Sequence, residues 1–124
     1  MELTTFAHSH YLKKMRKQSK GVFDASWKGF ILMLSQFDLL SMRSGVELIS
    51  QISSDISIHK VAFKILPNES SKTSGRRCIV AKHTKHKRIV ILMVYKKGDI
   101  GKGKQETAWY LGEIKKNFPE LFKE

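Results

Sequence analysis

The second half of the chain alternates between apolar and polar residues with the period of β-strands. In HKVAFKIL, residues 59–66, apolar side chains at 61, 63 and 65 alternate with Lys60 and Lys64. Two more strands are predicted at CIVAKH, residues 78–83, and at RIVILMVYK, residues 88–96. The second contains a continuous apolar run, which indicates burial on both faces of a sheet.

The rest of the chain has mostly helical spacing. Residues 8–18 place Met15 on an apolar helical face, and a wider apolar stripe suited to packing on a sheet runs from Phe23 to Phe37. Residues 105–122 repeat this spacing, and Pro119 opposes continuation of the helix past residue 118. Residues 2–6 predict a short strand, whereas residues 41–55 are ambiguous, with a break at Gly45.

These elements predict one α+β domain over residues 1–124. The chain is long enough for a single hydrophobic core and too short for two. The predicted order is β-α-α-β-β-β-α, with a small, mainly antiparallel sheet covered by helices on one face.

The positive charge of the chain is concentrated in these strands. The sequence has 23 Lys and Arg against 11 Asp and Glu, a net charge of +12. Residues 59–104 hold 13 of the basic residues and two acidic ones, which is +11 of that net charge. Such a concentration favours a polyanionic partner, of which nucleic acid is the first candidate, although an acidic protein or an anionic lipid surface also fits.

Several features indicate a cytoplasmic protein. The single cysteine, Cys78, cannot form an internal disulfide, which fits a reducing compartment. The N-terminal residues lack the apolar stretch of a secretory signal. The longest apolar run, residues 89–95, is too short to span a bilayer as a helix, so no membrane partner is expected.

The predicted antiparallel order brings the basic residues together. The start of one strand and the end of its neighbour share an edge of the sheet, so Arg76 and Arg77 should converge with Lys96 and Lys97. Lys60 and Lys64 should project from the open face of the same sheet. Tyr95 either stacks on a nucleotide or belongs to the core. The predicted RNA-binding residues are Arg76, Lys82, Tyr95, Lys96, Lys102 and Lys104.

Clustered cations of this kind suit a phosphodiester. Arg and Lys bind phosphate oxygens and stabilise the negative charge that develops during cleavage. A lysine crowded by other cations has a lowered pKa and can take a proton from a ribose 2′-OH. This scheme requires no metal and no small-molecule cofactor.

Other chemistries fit less well. GDIGKGKQ, residues 98–105, approaches a phosphate-binding P-loop, but Gln105 replaces the Ser or Thr that binds Mg²⁺, and too few residues follow for a parallel sheet. His83 and His86 flank a turn without the Cys or acidic neighbours of a zinc site. No Ser or Cys occurs in a recognisable catalytic-triad elbow.

The segments HKVAFKIL, SGRRCIVAKH and KRIVILMVYKKGD together resemble the RelE/ParE superfamily of bacterial toxins, in particular its RelE/HigB-like mRNA interferases. In that family, basic strands precede a hydrophobic strand with a basic exit. By position, Lys60 and Lys64 match basic residues of its second strand, and Arg77 matches the arginine that opens the third. Lys96 and Lys97 match the exit of the fourth strand, where Gly98, Asp99 and Ile100 replace the family's usual aromatic or histidine side chain.

The resemblance implies the toxin of a type II toxin–antitoxin system, which enters the ribosome and cleaves mRNA by 2′-OH attack. It implies mRNA, the ribosome and a cognate antitoxin protein as partners. The predicted catalytic residues are Lys60, Lys64, Arg77 and Lys97. Two alternatives use the same residues: a ParE-like inhibitor of DNA gyrase, and a non-catalytic RNA- or ribosome-binding module.

Overall fold

A computed structural model describes residues 2–3, 13, 15, 17, 21–34, 46–64, 74–100 and 105–122 of the chain. Its strands are β1 (Glu2–Leu3), β2 (Val46–Gln51), β3 (Ile56–Phe63), β4 (Arg76–His83) and β5 (Arg88–Lys96). Its helices are α1 (Gly21–Leu34) and α2 (Glu106–Asn117), and 3₁₀ turns occupy Lys97–Asp99 and Pro119–Phe122.

The five strands form one sheet in the order β1-β5-β4-β3-β2. Strands β2 to β5 follow one another as an antiparallel meander, and β1 pairs with β5 in parallel. The predicted α+β class is therefore confirmed. Strand β5 occupies the predicted residues, and α2 ends before Pro119, as expected.

Strand β2 is absent from the predicted order, and a β-bulge explains why. The register between β2 and β3 shifts between Leu48 and Ser50. Leu48 pairs with His59 and Ser50 pairs with the next residue of β3, Ile58, so Ile49 is the extra residue of β2. A bulge inserts an extra residue and breaks the alternation of period two, so residues 46–51 do not have a strand pattern in the sequence.

The prediction that the helices cover one face of the sheet is wrong, because α1 and α2 lie on opposite faces. Phe30 of α1 packs with Val61 and Cys78 on what we call the α1 face. Trp109 of α2 packs with Ile79 on what we call the α2 face. Successive residues of β4 point to opposite faces of the sheet, and the four from Cys78 to Ala81 are all completely buried. Each face of the sheet therefore needs its own covering helix.

Aromatic rings dominate the contact between α1 and the sheet. Phe30 stacks on Phe63 with 4.6 Å between ring centroids, and Trp27 lies 5.8 Å from Phe63. The predicted core role of Trp27 and Phe30 is confirmed. Cys78 lies in the same cluster, where burial raises the pKa of its thiol well above the usual range.

The predicted N-terminal helix is described at three positions. Lys13, Met15 and Lys17 are helical, with Met15 buried in the core of the α1 face and both lysines exposed. The buried Met15 and the exposed Lys13 and Lys17 match the apolar and polar sides of the predicted amphipathic helix. Phe37 and Ile65, which were also predicted to face the core, lie outside the described residues.

Candidate nucleic-acid interface

A short junction ties three strand ends together at one end of the sheet. The Ser74 hydroxyl donates to the carbonyl of Phe63 at the end of β3 and accepts from the backbone N–H of Arg76 at the start of β4. The N–H of Lys97, just after β5, donates to the carbonyl of Gly75 at 2.8 Å. Gly75 has a φ of 74°, a left-handed conformation that glycine adopts at little cost.

The cations predicted to converge do lie at this junction. Arg76 pairs across the ladder with Lys96, and Phe63, which directly precedes Lys64, pairs with Arg76. We call this group the basic end of the sheet: Lys64, Arg76, Arg77, Lys96 and Lys97. Antiparallel pairing brings these residues together although they come from three separate segments.

The five cations differ greatly in exposure. Lys64 and Lys97 are exposed, and Lys96 is half-buried. Arg76, which lies on the α1 face, is only 2% exposed, and Arg77, on the α2 face, is 8% exposed. One nitrogen of the Arg77 guanidinium, Nη1, donates to the carbonyl of Arg76 at 2.9 Å. The accessible charge at the basic end therefore comes from lysines, with the arginines beneath them.

Lys60 was predicted to project from an open face of the sheet. That prediction is wrong, because α2 covers that side. Its ammonium lies 3.4 Å from the carboxylate of Glu47 and 3.9 Å from that of Glu106. It also lies 5.7 Å from the centre of the Tyr110 ring. Carboxylates and an aromatic ring therefore surround Lys60, rather than the other cations that the sequence suggested.

Tyr95 belongs to the core and is not available to stack on a base. Its ring is fully buried and contacts Trp109 edge-on, at 5.0 Å between centroids. Its hydroxyl donates to Oε2 of Glu106 at 2.6 Å. Burial, followed by this hydrogen bond, raises the pKa of Tyr95 well above its ordinary value, so the side chain stays neutral.

Glu106 is a residue of this region that the sequence pattern did not indicate. It lies in the first turn of α2, where the negative charge of its carboxylate interacts favourably with the positive end of the helix dipole. Its carboxylate joins Tyr95 of β5 to Lys60 of β3, so it links the start of α2 to two strands. One signal in the sequence could have indicated such a residue. A lysine on a strand face that a helix covers needs a carboxylate partner, and the covering helix is where to look for it.

Three further predicted RNA-binding residues lie away from the basic end or outside the described residues. Lys82 pairs with Ser57 and Ile89, near the turn that joins β4 to β5, and is half-buried on the α1 face. There its charge contributes, after burial, to a lowered pKa of His59, whose ring lies 2.8 Å from the Ser57 hydroxyl. Lys102 and Lys104 lie outside the described residues.

Two properties of the described residues bear on other functions. No group of three or more His, Cys, Asp or Glu side chains within them is arranged to hold a metal ion. None of the described helices combines the length and apolar character needed to cross a membrane.

Comparison with protein-family models, curated proteins and solved structures gives no match to this chain. The function of the basic end has to be inferred from its own side chains.

Proposed function

We propose that the protein is a ribosome-dependent endoribonuclease of the toxin type, which binds the mRNA backbone at the basic end of the sheet. The observation that supports this most directly is the convergence of five cations from three strand ends. Lys64 and Lys97 are both exposed there. Like charges gathered by the fold repel one another, and a polyanion relieves that repulsion.

The exposed lysines serve as the first contacts with phosphate. Lys64 directly follows β3 and Lys97 directly follows β5. The half-buried Lys96 is the last residue of β5 and pairs with Arg76 of β4, the strand between them. Compact ammonium groups bind phosphate oxygens without reading the base, so this surface positions RNA and does not select its sequence.

Cleavage follows from attack by the ribose 2′-oxygen on the adjacent phosphorus. The 2′-OH gives its proton to water, a bond forms between the 2′-oxygen and phosphorus, and the P–O5′ bond breaks. The departing 5′-oxygen takes a proton from water, so the products are a 2′,3′-cyclic phosphate and a 5′-OH. Arg77, at the inner side of the basic end, supplies positive charge for the developing phosphorane. Lys60 is assigned an electrostatic role, because its ammonium forms ion pairs with Glu47 and Glu106.

The proposal includes the partners that the sequence resemblance implies. The toxin acts on translated mRNA in the cytoplasm, and a cognate antitoxin neutralises it. A protein partner with an acidic surface would complement the net charge of +12.

Induced expression followed by mapping of mRNA 5′ ends tests the proposal. We expect new 5′ ends within translated codons, and we expect Arg77→Ala to abolish them. The double variant Lys64→Ala/Lys97→Ala should weaken cleavage strongly, because it removes both exposed cations of the basic end. The matched control is Lys28→Ala/Lys115→Ala, which removes two exposed lysines of the helices. Growth arrest with intact transcripts would overturn the nuclease assignment.

A non-catalytic RNA- or ribosome-binding module is the second candidate. It is favoured by the ion pairs of Lys60 with two carboxylates and by the burial of Tyr95, because both side chains make their polar contacts within the protein. This candidate predicts ribosome binding without new 5′ ends. In both cases, affinity for single-stranded RNA falls with salt, and each lysine lost reduces the slope of log K against log salt by about 0.7.

A further inference from the structure

A groove runs along the side of α2 next to the basic end. The described residues that line it are Gln105, Ala108, Trp109, Gly112 and Glu113. They recur at the spacing of one helical face. The groove has a volume of about 340 Å³, near the lower end of the roughly 300–1,000 Å³ that small-molecule sites occupy. Its size suits a single planar ring system rather than a protein segment.

The floor of the groove is apolar and its two ends are polar. Trp109 shows 9% of its surface, and Ala108 and Gly112 expose only small groups beside it. A Cβ added at Gly112 would meet nothing within 4 Å, so the absent side chain leaves open space. Gln105 and Glu113 supply an amide and a carboxylate at opposite ends. An apolar floor with a few polar groups is the usual composition of a site for a planar ligand.

The groove is linked to the basic end through one buried residue, Tyr95. The Trp109 ring packs against Tyr95 at 5.0 Å between centroids, and Tyr95 pairs across the ladder with Arg77. Arg77 and Trp109 both neighbour Tyr95, so the groove lies on the side of the sheet where a nucleotide held beside Arg77 would place its base. In single-stranded RNA the bases are unstacked and available for such contacts.

We propose that this groove binds one unpaired base of the RNA held at the basic end and that it favours guanine. The inference rests on the proposed function, since it assumes RNA as the ligand. The Glu113 carboxylate accepts hydrogen bonds and donates none. The Watson–Crick edge of guanine offers two adjacent donors, N1–H and N2–H, whereas uracil flanks its one donor with two carbonyl oxygens. A carboxylate at the end of the groove therefore selects guanine over uracil.

Fluorescence anisotropy with three labelled hexamers tests the proposal. The probes are UGUGUG, UUUUUU and a hexamer of abasic spacers with the same phosphates. We expect UGUGUG to bind about tenfold more tightly than the abasic hexamer, a difference of about 1.4 kcal/mol. UUUUUU should fall between them.

Substitutions in the groove should act on the base and leave phosphate binding intact. Gly112→Leu fills the open space, so UGUGUG should bind this variant no more tightly than the abasic hexamer does. Thr107→Leu is the matched control, because it adds the same side chain at an exposed position of α2 outside the groove. Glu113→Gln should bring UGUGUG and UUUUUU to equal affinity.

The possible results separate the two proposals. Equal binding of all three hexamers by the unsubstituted protein would overturn the base site and leave RNA binding at the basic end in place. A base preference that survives Gly112→Leu would also overturn it. Absence of binding to any hexamer would instead contradict binding of the RNA backbone at the basic end, the part of the proposed function on which the base site depends.

Discussion

The two faces of the sheet are built from the same strands but are covered in different ways. The α1 face is covered mainly by apolar side chains, with Phe30 stacked on Phe63. The α2 face is also largely apolar, but at the basic end it contains the hydrogen-bonded and ion-paired group of Lys60, Tyr95 and Glu106. Apolar packing holds a helix in place without orienting it, whereas a polar network requires particular partners at particular distances. The helix that borders the proposed RNA site is the one with such a network.

The largest expected effect lies on the α1 face. Phe63→Ala removes a fully packed ring that contacts Phe30 and Trp27, and we expect it to lower the free energy of unfolding by about 3–5 kcal/mol. Urea denaturation followed by circular dichroism measures this loss. Leu32→Ala, which truncates a side chain of α1 that is 60% exposed, is the control and should change stability by less than about 1 kcal/mol. A loss at Phe63 no larger than that of the control would contradict the apolar description of this face.

An intermediate effect is expected on the α2 face. Tyr95→Phe keeps the ring but removes the hydroxyl that donates to Glu106, which should cost about 1–2 kcal/mol. Glu106→Gln alters the other partner. If the two side chains act together, the loss in the double variant should be smaller than the sum of the two single losses. Strictly additive losses by urea denaturation would show that Tyr95 and Glu106 are not coupled.

The smallest effect is a dependence on pH at His59. Burial and the nearby charge of Lys82 lower its pKa in the folded protein, so protonation favours the unfolded chain. Stability from this group is complete above the unfolded pKa of about 6.5 and declines as the pH falls toward the folded pKa. Between pH 7 and 5 the slope should not exceed about 1.4 kcal/mol per pH unit, the limit for one proton. His59→Gln should flatten it; an unchanged slope would assign the dependence to another group.

Much of the sheet could be predicted from the sequence because alternation and continuous apolar runs report burial directly. The run in β5 also contained the evidence for covers on both faces, since neither side of that strand offers a polar stripe. Strand β2 was missed because its bulge removes the periodic signal. Period and composition reveal which side chains are buried, but not which helix buries them.

The candidate site was only partly predictable for a related reason. The convergence of Arg76 and Lys96 follows from antiparallel order, which local pattern reveals. The ion pair of Lys60 with Glu106 joins residues 46 positions apart, and nothing in the sequence couples them. The burial of Tyr95 depends on the same docking of α2. Tertiary contacts between distant segments therefore decide which of the basic residues remain accessible.

The pairing of β1 with β5 also constrains the order in which the chain can fold. Strands β2 to β5 are linked as consecutive hairpins, so each can pair with its predecessor as soon as it has been synthesised. Residues 2 and 3, by contrast, pair with residues 90 and 91. Among the described strands, β1 is synthesised before the others but pairs with the last of them, and this long-range closure is expected to slow the final step of folding.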